Sequence, residues 1–217
     1  MTEITEKMLA ELRERVKPYL TDKRYLHTLA VEEEAAALGS VYLPSDINRL
    51  RAAALLHDIT KKLTAEEQLR ICEEFHIPAT AADAVFSPKL FHAKTAAAIA
   101  ARDFSDFADA QVVSGVRWHT TGRAGMTDFE AIIYLADYIE KTRTFEDCVK
   151  LREYFYGALA AAQDDEAKRE LLWRTMALSF DMTIKSLMSD SSLIDRDTVE
   201  ARNYYLMKLG TAARREK

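Results

Sequence analysis

A histidine and an aspartate stand side by side in this sequence, directly after an apolar run. The stretch Arg51 to Lys62 reads RAAALLHDITKK, so His57 and Asp58 follow five small or aliphatic residues. Such a run predicts a buried helix, on which an unpaired carboxylate would be costly. A bound cation would compensate, because imidazole nitrogens and carboxylate oxygens are ligands of divalent metals. The alternative is a helix C-terminus at which Asp58 pairs with Lys61 or Lys62.

Three further histidines and a second aspartate lie in comparable surroundings. His27, His92 and His119 each fall on or at the end of a helix with an apolar face, and Asp137 interrupts the apolar run IIYLAD. Together with the His-Asp pair they give four imidazoles and two carboxylates on separate elements. One ion takes about four protein ligands, so six donors predict two ions that share a carboxylate. The remaining histidine, His76, precedes Pro78 at a helix end and is interpreted as a dipole partner outside the site.

Helical spacing of the apolar positions predicts that an all-α protein positions these residues. Only six glycines and four prolines interrupt the chain, and the segments between them have the helical period. Helices are predicted over 5–16, 22–39, 45 through the His-Asp pair, 64–77, 93–102, 107–119, 127 through Asp137, 146–163, 165–188 and 195–214. A short helix and a loop over 79–90 should deliver Phe91 and His92 to the next helix. Thr64 with Glu67, and Thr127 with Glu130, have the spacing of capping boxes.

The character of the chain changes after Arg143, where three longer helices without histidine remain. We therefore expect a metal-bearing core over 1–144 and a C-terminal helical extension over 145–217 that packs on the core.

Composition narrows the class of partner. No apolar run approaches the roughly 18 residues needed to cross a bilayer, so no membrane partner is expected. The net charge of −5 argues against binding to duplex nucleic acid. The N-terminal stretch MTEITEKMLAELRERV carries acids from its third residue and does not look like a targeting peptide. Cys72 and Cys148 lack a CxxC spacing, so we expect core thiols in a cytoplasmic protein.

Cationic side chains close to the histidines predict phosphate chemistry. Lys61 lies one helical turn after the His-Asp pair, Arg24 one turn before His27, and Arg143 shortly after Asp137. Arg143 could equally cap a helix C-terminus.

The loop TTGRAGM follows His119 and precedes a helix N-terminus, whose amides favour anions. Its hydroxyls, glycines and guanidinium predict a phosphate-binding loop formed by Thr120, Thr121, Gly122 and Arg123. We expect Asp58, Lys61 and Arg123 to be the catalytic residues. The alternative for the loop is a capped turn with a solvated arginine.

Several segments together resemble the YqeK family of HD-domain metal-dependent phosphohydrolases. These segments are RYLHT, LLHDITK, LFHAK, RWHTTGRAGMT and IIYLADYIE. The resemblance spans roughly Arg24 to Arg143 and continues more faintly to the end of the chain, at Asp197, Thr198, Asn203 and Tyr204. Lys141-Thr142 stands where the family has Pro-Asn, which puts the loop before Arg143 in doubt.

This resemblance implies an HD-domain helical bundle around a metal centre. It implies symmetrical hydrolysis of diadenosine tetraphosphate (Ap4A) to two ADP. It also implies a dinuclear centre of iron, with manganese, cobalt or magnesium as alternatives. The implied ligands are His27, His57, Asp58, His92, His119 and Asp137.

Physical reasoning distributes these ligands between two ions. Asp58 is the natural bridge, with His27, His57 and Asp137 on one ion and His92 with His119 on the other. A hydroxide held between the ions would attack phosphorus, because each metal lowers the pKa of its bound water.

Aromatic residues near the ligands could stack on a nucleotide base, although core packing explains each of them as well. They are Tyr134, Tyr138, Phe91 and Trp118, of which Tyr138 is the substrate-binding prediction. Glutamates 32–34 are expected on a solvated face.

Three other classes of function stay open at this point. They are a phosphohydrolase for another nucleotide, a di-iron oxygenase, and a non-catalytic helical adaptor. The substrate is expected to be a small-molecule nucleotide. The oligomeric state is also open, with a homodimer as one option.

Overall fold

The computed structural model describes residues 3–79 and 88–215, and the regular elements in these ranges are helices. The α-helices are α1 (Glu6–Val16), α2 (Asp22–Tyr42), α3 (Ile47–Leu56), α4 (Ala65–Glu74), α5 (Pro88–Asp103), α6 (Ala110–Trp118), α7 (Asp128–Ile139), α8 (Glu146–Ala161), α9 (Asp165–Ser189) and α10 (Arg196–Arg215). The all-α prediction is confirmed. Most of the short helix and loop predicted over 79–90 lies outside the described residues.

Side-chain caps set several helix starts. Both predicted capping boxes are present, Thr64 with Glu67 at α4 and Thr127 with Glu130 at α7. The predicted N-cap of α2 was wrong by one residue. The Thr21 hydroxyl, rather than the Asp22 side chain, accepts the amide hydrogen bond that starts this helix.

Two expectations about the histidine-bearing elements were also wrong. Helix α3 ends at Leu56, so His57 is its C-cap and Asp58 lies in the turns that follow. Backbone hydrogen bonds of these turns, such as Lys61 N to Asp58 O at 2.9 Å, replace the helical ladder there. In contrast, His92 lies within α5, which already begins at Pro88, because proline is tolerated at the first helical position.

Helix α3 is the centre of the core. It packs against α1, α2, α5, α6 and α7, and Leu50 and 52–56 on it are fully buried. Small side chains let its neighbours approach closely. At Gly39 of α2, an added Cβ would lie only 2.7 Å from Leu50 Cδ1. The chain therefore enters the interior along α3 and stays buried through His57 and Asp58 to Thr60.

The acidic run of α2 was expected to be solvated, which was wrong for Glu32. This carboxylate is buried and accepts hydrogen bonds from Arg13 at 2.6 and 2.8 Å and from Arg51 at 3.0 Å. Glu33 is exposed, as expected. The free thiols of Cys72 and Cys148 are buried, which confirms the prediction of core thiols.

The C-terminal helices α8 to α10 pack on the rest of the protein mainly through α7. Phe180 of α9 is fully buried between Tyr134 and Tyr205, with ring centroids 4.6 and 6.2 Å away. It also covers Gly122, whose backbone has a positive φ of 63° and where an added Cβ would lie 2.5 Å from the Phe180 ring. The division of the chain at 144/145 stays a prediction.

No helix in the described ranges combines the length and the apolar character that a membrane span requires.

Phe180→Ala should lower the free energy of unfolding by about 3–5 kcal/mol, because it leaves a cavity where α9 meets α7 and the loop after α6. Denaturant titration of the purified protein measures this change. Leu178→Ala on the same helix is the matched control, since Leu178 is exposed. Equal effects of the two substitutions would contradict the packing role of Phe180.

Candidate metal centre

The structure brings all six predicted ligand residues into one buried cluster. Donor atoms of these residues form three overlapping groups in which they lie within 4.8 Å of one another. We call this set the ligand cluster, formed by His27, His57, Asp58, His92, His119 and Asp137. Each comes from a different element, apart from the adjacent His57 and Asp58.

Asp58 lies between two sets of imidazoles. Its Oδ2 is 3.3 Å from His57 Nε2 and 3.9 Å from His27 Nε2. Its Oδ1 is 3.2 Å from His92 Nε2 and 3.8 Å from His119 Nε2. The two carboxylate oxygens thus face the two histidine groups that the sequence assigned to separate ions.

Hydrogen bonds at the outer ring nitrogens fix how three histidines point. Nδ1 of His57 donates to the Ala54 carbonyl at 2.6 Å, and Nδ1 of His119 donates to the Val116 carbonyl at 2.7 Å. His27 Nδ1 lies 2.9 Å from Oε1 of Glu140. Each ring therefore turns Nε2 inward, and the two donors to backbone carbonyls keep the Nε2 lone pair available. Partners of this kind usually accompany metal-binding histidines.

Unpaired buried donors and acceptors show that the cluster fits a metal ion. His27 Nε2, His57 Nε2 and Asp58 Oδ1 are buried without a hydrogen-bond partner among the described residues. His27 Nε2 does lie 3.0 Å from Asp137 Oδ1, but not in hydrogen-bonding geometry. Burying such atoms unsatisfied is unfavourable. A divalent cation satisfies them all, and the donor set of imidazoles and carboxylates is one that such ions take.

The two carboxylates are held in their ionised form. Burial alone would raise their pKa values, but the surrounding groups outweigh it. The pKa of Asp58 is held well below its usual range by His57, His92 and Lys61. The pKa of Asp137 is likewise held low, chiefly by the Arg143 guanidinium. Both side chains are therefore ready to coordinate a cation.

The histidines differ in their protonation. Burial and the neighbouring imidazoles lower the pKa of His119 well below its usual value, so it is neutral. Burial acts in the same direction on His27, but the nearby carboxylates of Asp137 and Glu140 raise the pKa of His27 to about 9. A metal ion that binds His27 must therefore displace a proton at neutral pH.

Two predicted substrate-binding cations contact the ligand cluster directly. Arg24 Nη1 donates to Asp58 Oδ2 at 2.9 Å. Lys61 Nζ lies 2.8 Å from His92 Nε2 and 3.8 Å from Asp58 Oδ1. Burial lowers the pKa of Lys61, although the nearby carboxylates oppose this effect. The pairing of Asp58 with Lys61, proposed as an alternative to metal binding, thus occurs inside the cluster.

Arg143 and Thr120 contact it as well. Arg143 donates to Asp137 through Nη2 to Oδ1 at 2.5 Å and through Nε to the carbonyl at 2.7 Å. The Thr120 hydroxyl lies 3.0 Å from His119 Nε2 and 3.2 Å from His92 Nε2.

The rest of the predicted phosphate-binding loop has other contacts. Thr121 is buried, and its hydroxyl donates to the Gly122 carbonyl at 2.9 Å. Arg123 Nη2 lies 3.0 Å from each carboxylate oxygen of the buried Glu130. These contacts agree with the capped turn of the alternative interpretation, but the solvated arginine expected there was wrong, because Arg123 is paired with Glu130. A role of Thr121, Gly122 and Arg123 in substrate binding stays a prediction.

A cavity of about 600 Å³ opens beside the cluster, and we call it the first cavity. Its walls include Asp137, Tyr138, Arg143, Asp147, Thr183 and Leu187. Tyr138 is partly exposed there, as a base-binding residue requires. Tyr134 and Phe91 are buried, which agrees with core packing. Trp118 carries the Arg117 guanidinium 4.0 Å from its ring centroid.

Two supporting features were missed by the sequence analysis. One is Glu140, for which the available signal was its place one turn after Asp137. The other is a buried hydrogen-bonded group that holds the backbone of α5 at His92. There Thr60 donates to the His92 carbonyl at 3.0 Å and lies 2.9 Å from Thr95 Oγ1, while Gln68 donates to the Thr60 carbonyl at 2.7 Å.

Comparison with known families agrees with this geometry. The HD-domain family model matches residues 24–142, a range that contains every member of the ligand cluster. The chain belongs to the HD-domain family. The predicted resemblance is thereby confirmed.

This HD-domain protein is similar to proteins named "Bis(5'-nucleosyl)-tetraphosphatase, symmetrical", which are YqeK-type relatives. The relative from Bacillus subtilis is 36% identical over 138 residues, which cover 64% of this chain and 72% of the relative. The relative from Halalkalibacterium halodurans is 32% identical over 194 residues, covering 89% and 94% of the two chains.

A solved structure from Clostridium acetobutylicum has the same fold. It is described as a predicted HD superfamily hydrolase involved in NAD metabolism. The TM-score is 0.77 at 30% identity, and the match covers 92% of this HD-domain chain and 97% of the other.

Glu140→Ala should weaken metal binding by about 10- to 100-fold, because it removes the carboxylate that orients His27. Competition with a chelator measures the affinity. Glu33→Ala is the control, since Glu33 is exposed and pairs with Lys141, the residue that follows Glu140. An affinity equal to that of the unmodified protein would show that the Glu140 contact does not support the site.

Proposed function

We propose that this HD-domain protein is a symmetrical bis(5'-nucleosyl)-tetraphosphatase. It hydrolyses Ap4A and related dinucleoside polyphosphates to two nucleoside diphosphates, with ADP as the product from Ap4A. The observation that carries the proposal is that three cationic side chains contact a cluster suited to divalent metals. These are Arg24, Lys61 and Arg143. The names of the relatives agree with this activity.

The cluster takes two ions in this proposal, with Asp58 as the bridge between them. Iron is our first choice, and manganese, cobalt or magnesium are the alternatives. When bound, the metal supplies Lewis acidity and an ionised water as nucleophile near neutral pH. The support for two ions is the placement of the Asp58 oxygens between two histidine groups.

The chain's own cations bind and orient the phosphate chain. Phosphoryl transfer spreads charge over the oxygens of the reacting phosphate, and cations held close to it stabilise that charge. Lys61 is the best placed, because its Nζ lies against His92 and near Asp58. Arg24 and Arg143 are held against Asp58 and Asp137 and take adjacent phosphates.

Two classes of alternative are less well supported. A di-iron oxygenase acting on small organic substrates has no need for three cations at its cluster, and activity without oxygen would exclude it. A non-catalytic adaptor does not need three buried polar atoms without hydrogen-bond partners in its core.

The metal centre by itself does not select the base of the nucleotide, so other nucleotides should be tested beside Ap4A. We expect a cytoplasmic enzyme that does not bind duplex nucleic acid.

Incubation of the metal-loaded protein with Ap4A should release only ADP, as resolved by chromatography of the nucleotides. Asp58→Ala should lose metal and turnover together, because it removes the proposed bridging ligand. Release of ATP and AMP would contradict symmetrical cleavage. Full activity of the variant would contradict the role of Asp58.

Lys61→Ala should lower kcat by about 10²- to 10³-fold, the scale for loss of one donor that stabilises developing charge. Metal content should be retained. The adjacent Lys62 is the matched control, because it is exposed and donates to the Pro18 carbonyl. If Lys62→Ala lowered kcat as much as Lys61→Ala, the assignment of Lys61 would be wrong.

A further inference from the structure

A substrate cut symmetrically has one nucleoside diphosphate on each side of the bond that breaks. An enzyme that recognises both halves therefore needs two binding regions that meet at the reacting phosphates. This consideration rests on the proposed function. Cavities that adjoin the ligand cluster are therefore the candidates for these two binding regions.

The first cavity reaches the ligand cluster at His119 and Asp137. Away from the cluster, Tyr138 and Leu187 offer it apolar surface, and Asp147 offers a carboxylate. Apolar walls suit a base, while a carboxylate accepts hydrogen bonds from ribose hydroxyls or an adenine amino group. Its volume of about 600 Å³ is within the range of small-molecule sites.

A second cavity, of about 520 Å³, reaches the cluster at a different residue, His27. Arg24, Lys23 and Arg143 give it a cationic lining, and Glu140 lines it as well. Leu26, which is 64% exposed, adds apolar surface at the mouth. The lining thus combines phosphate-binding and apolar groups, as a nucleotide requires.

Only two residues line both cavities, among those that the structure describes. They are Arg143, whose guanidinium is held against Asp137, and Phe145. The Phe145 side chain is 70% exposed, which is unusual for a large aromatic residue. It is the N-cap residue of α8 but makes no side-chain cap hydrogen bond, so its exposed ring has no evident role in the fold.

We propose that the two cavities are separate nucleoside diphosphate subsites and that Phe145, which lines both, stacks on a base of the bound dinucleotide. Phe145 is then a specificity-determining residue that favours dinucleoside polyphosphates over phosphate chains without a base. Arg143 also lines both cavities, and beside Asp137 it contacts phosphate.

The number of product molecules bound tests the two subsites. Equilibrium dialysis of the metal-loaded protein against excess ADP should give two ADP per chain. One ADP per chain would overturn the inference.

Phe145→Ala tests the stacking residue. It should raise the KM for Ap4A about tenfold and leave kcat nearly unchanged, the scale of one lost base–aromatic stack. The dissociation constant of a non-hydrolysable Ap4A analogue with a methylene group at the central bridge, measured by calorimetry, should rise equally. Phe145→Trp should restore both values. Inhibition by inorganic tetraphosphate, which has no base, should not change.

Tyr154→Ala is the matched control for Phe145→Ala. Tyr154 is an exposed aromatic residue of α8, the helix that Phe145 precedes, and it is not among the described residues that line either cavity. Loss of affinity in Phe145→Ala alone supports the inference. Equal loss in both variants, no loss in either, or equal weakening of tetraphosphate binding overturns it.

Failure of this inference is distinguishable from failure of the proposed function. If the wild-type protein releases no ADP from Ap4A, both the proposed function and this inference are contradicted. If the wild-type protein releases ADP but binds one ADP per chain, only the inference is contradicted. The same holds if the Phe145→Ala variant is unaffected.

Discussion

The burial of the Asp58 carboxylate is the constraint on which the rest of the site depends. This side chain is 2% exposed, and its Oδ1 has no hydrogen-bond partner among the described residues. A buried charge with incomplete partners is among the most unfavourable features that a core can contain. Nearby histidines, Lys61 and Arg24 keep it ionised, but a cation between the imidazoles is what satisfies it fully. The surrounding helices bring imidazoles to both oxygens of Asp58, so that a cation can bind between them.

The fold meets this constraint through helix ends and backbone carbonyls. Helix α3 ends at Leu56, and the side chains of the next two residues, His57 and Asp58, are both buried. His57 and His119 are both C-caps. Each binds a carbonyl of its own last turn through Nδ1. The same geometry thus orients a ligand and satisfies a helix end. No additional buried side chain is needed for either purpose.

Helices α8 and α9 extend the surroundings of the ligand cluster beyond the histidine-bearing elements. Phe180 packs against Gly122 and Tyr134, and thereby joins α9 to the loop and helix that carry Thr120 and Asp137. Helices α8 and α9 also supply one wall of the first cavity, through Asp147, Thr183 and Leu187. The ligand cluster lies within the region matched by the HD-domain family, whereas this wall lies outside it. The proposed nucleotide site is therefore lined in part by helices that have no histidine.

The sequence by itself determined the helices, the capping boxes at Thr64 and Thr127, and the six donors of the ligand cluster. Apolar periodicity and capping are local properties, so they can be read from neighbouring residues. Only the tertiary structure decided which charged groups meet. Glu140 binds His27 across 113 positions of sequence, and Glu32 is buried against two arginines, Arg13 of α1 and Arg51 of α3. Such partners come from packing between distant elements, and no local pattern specifies them.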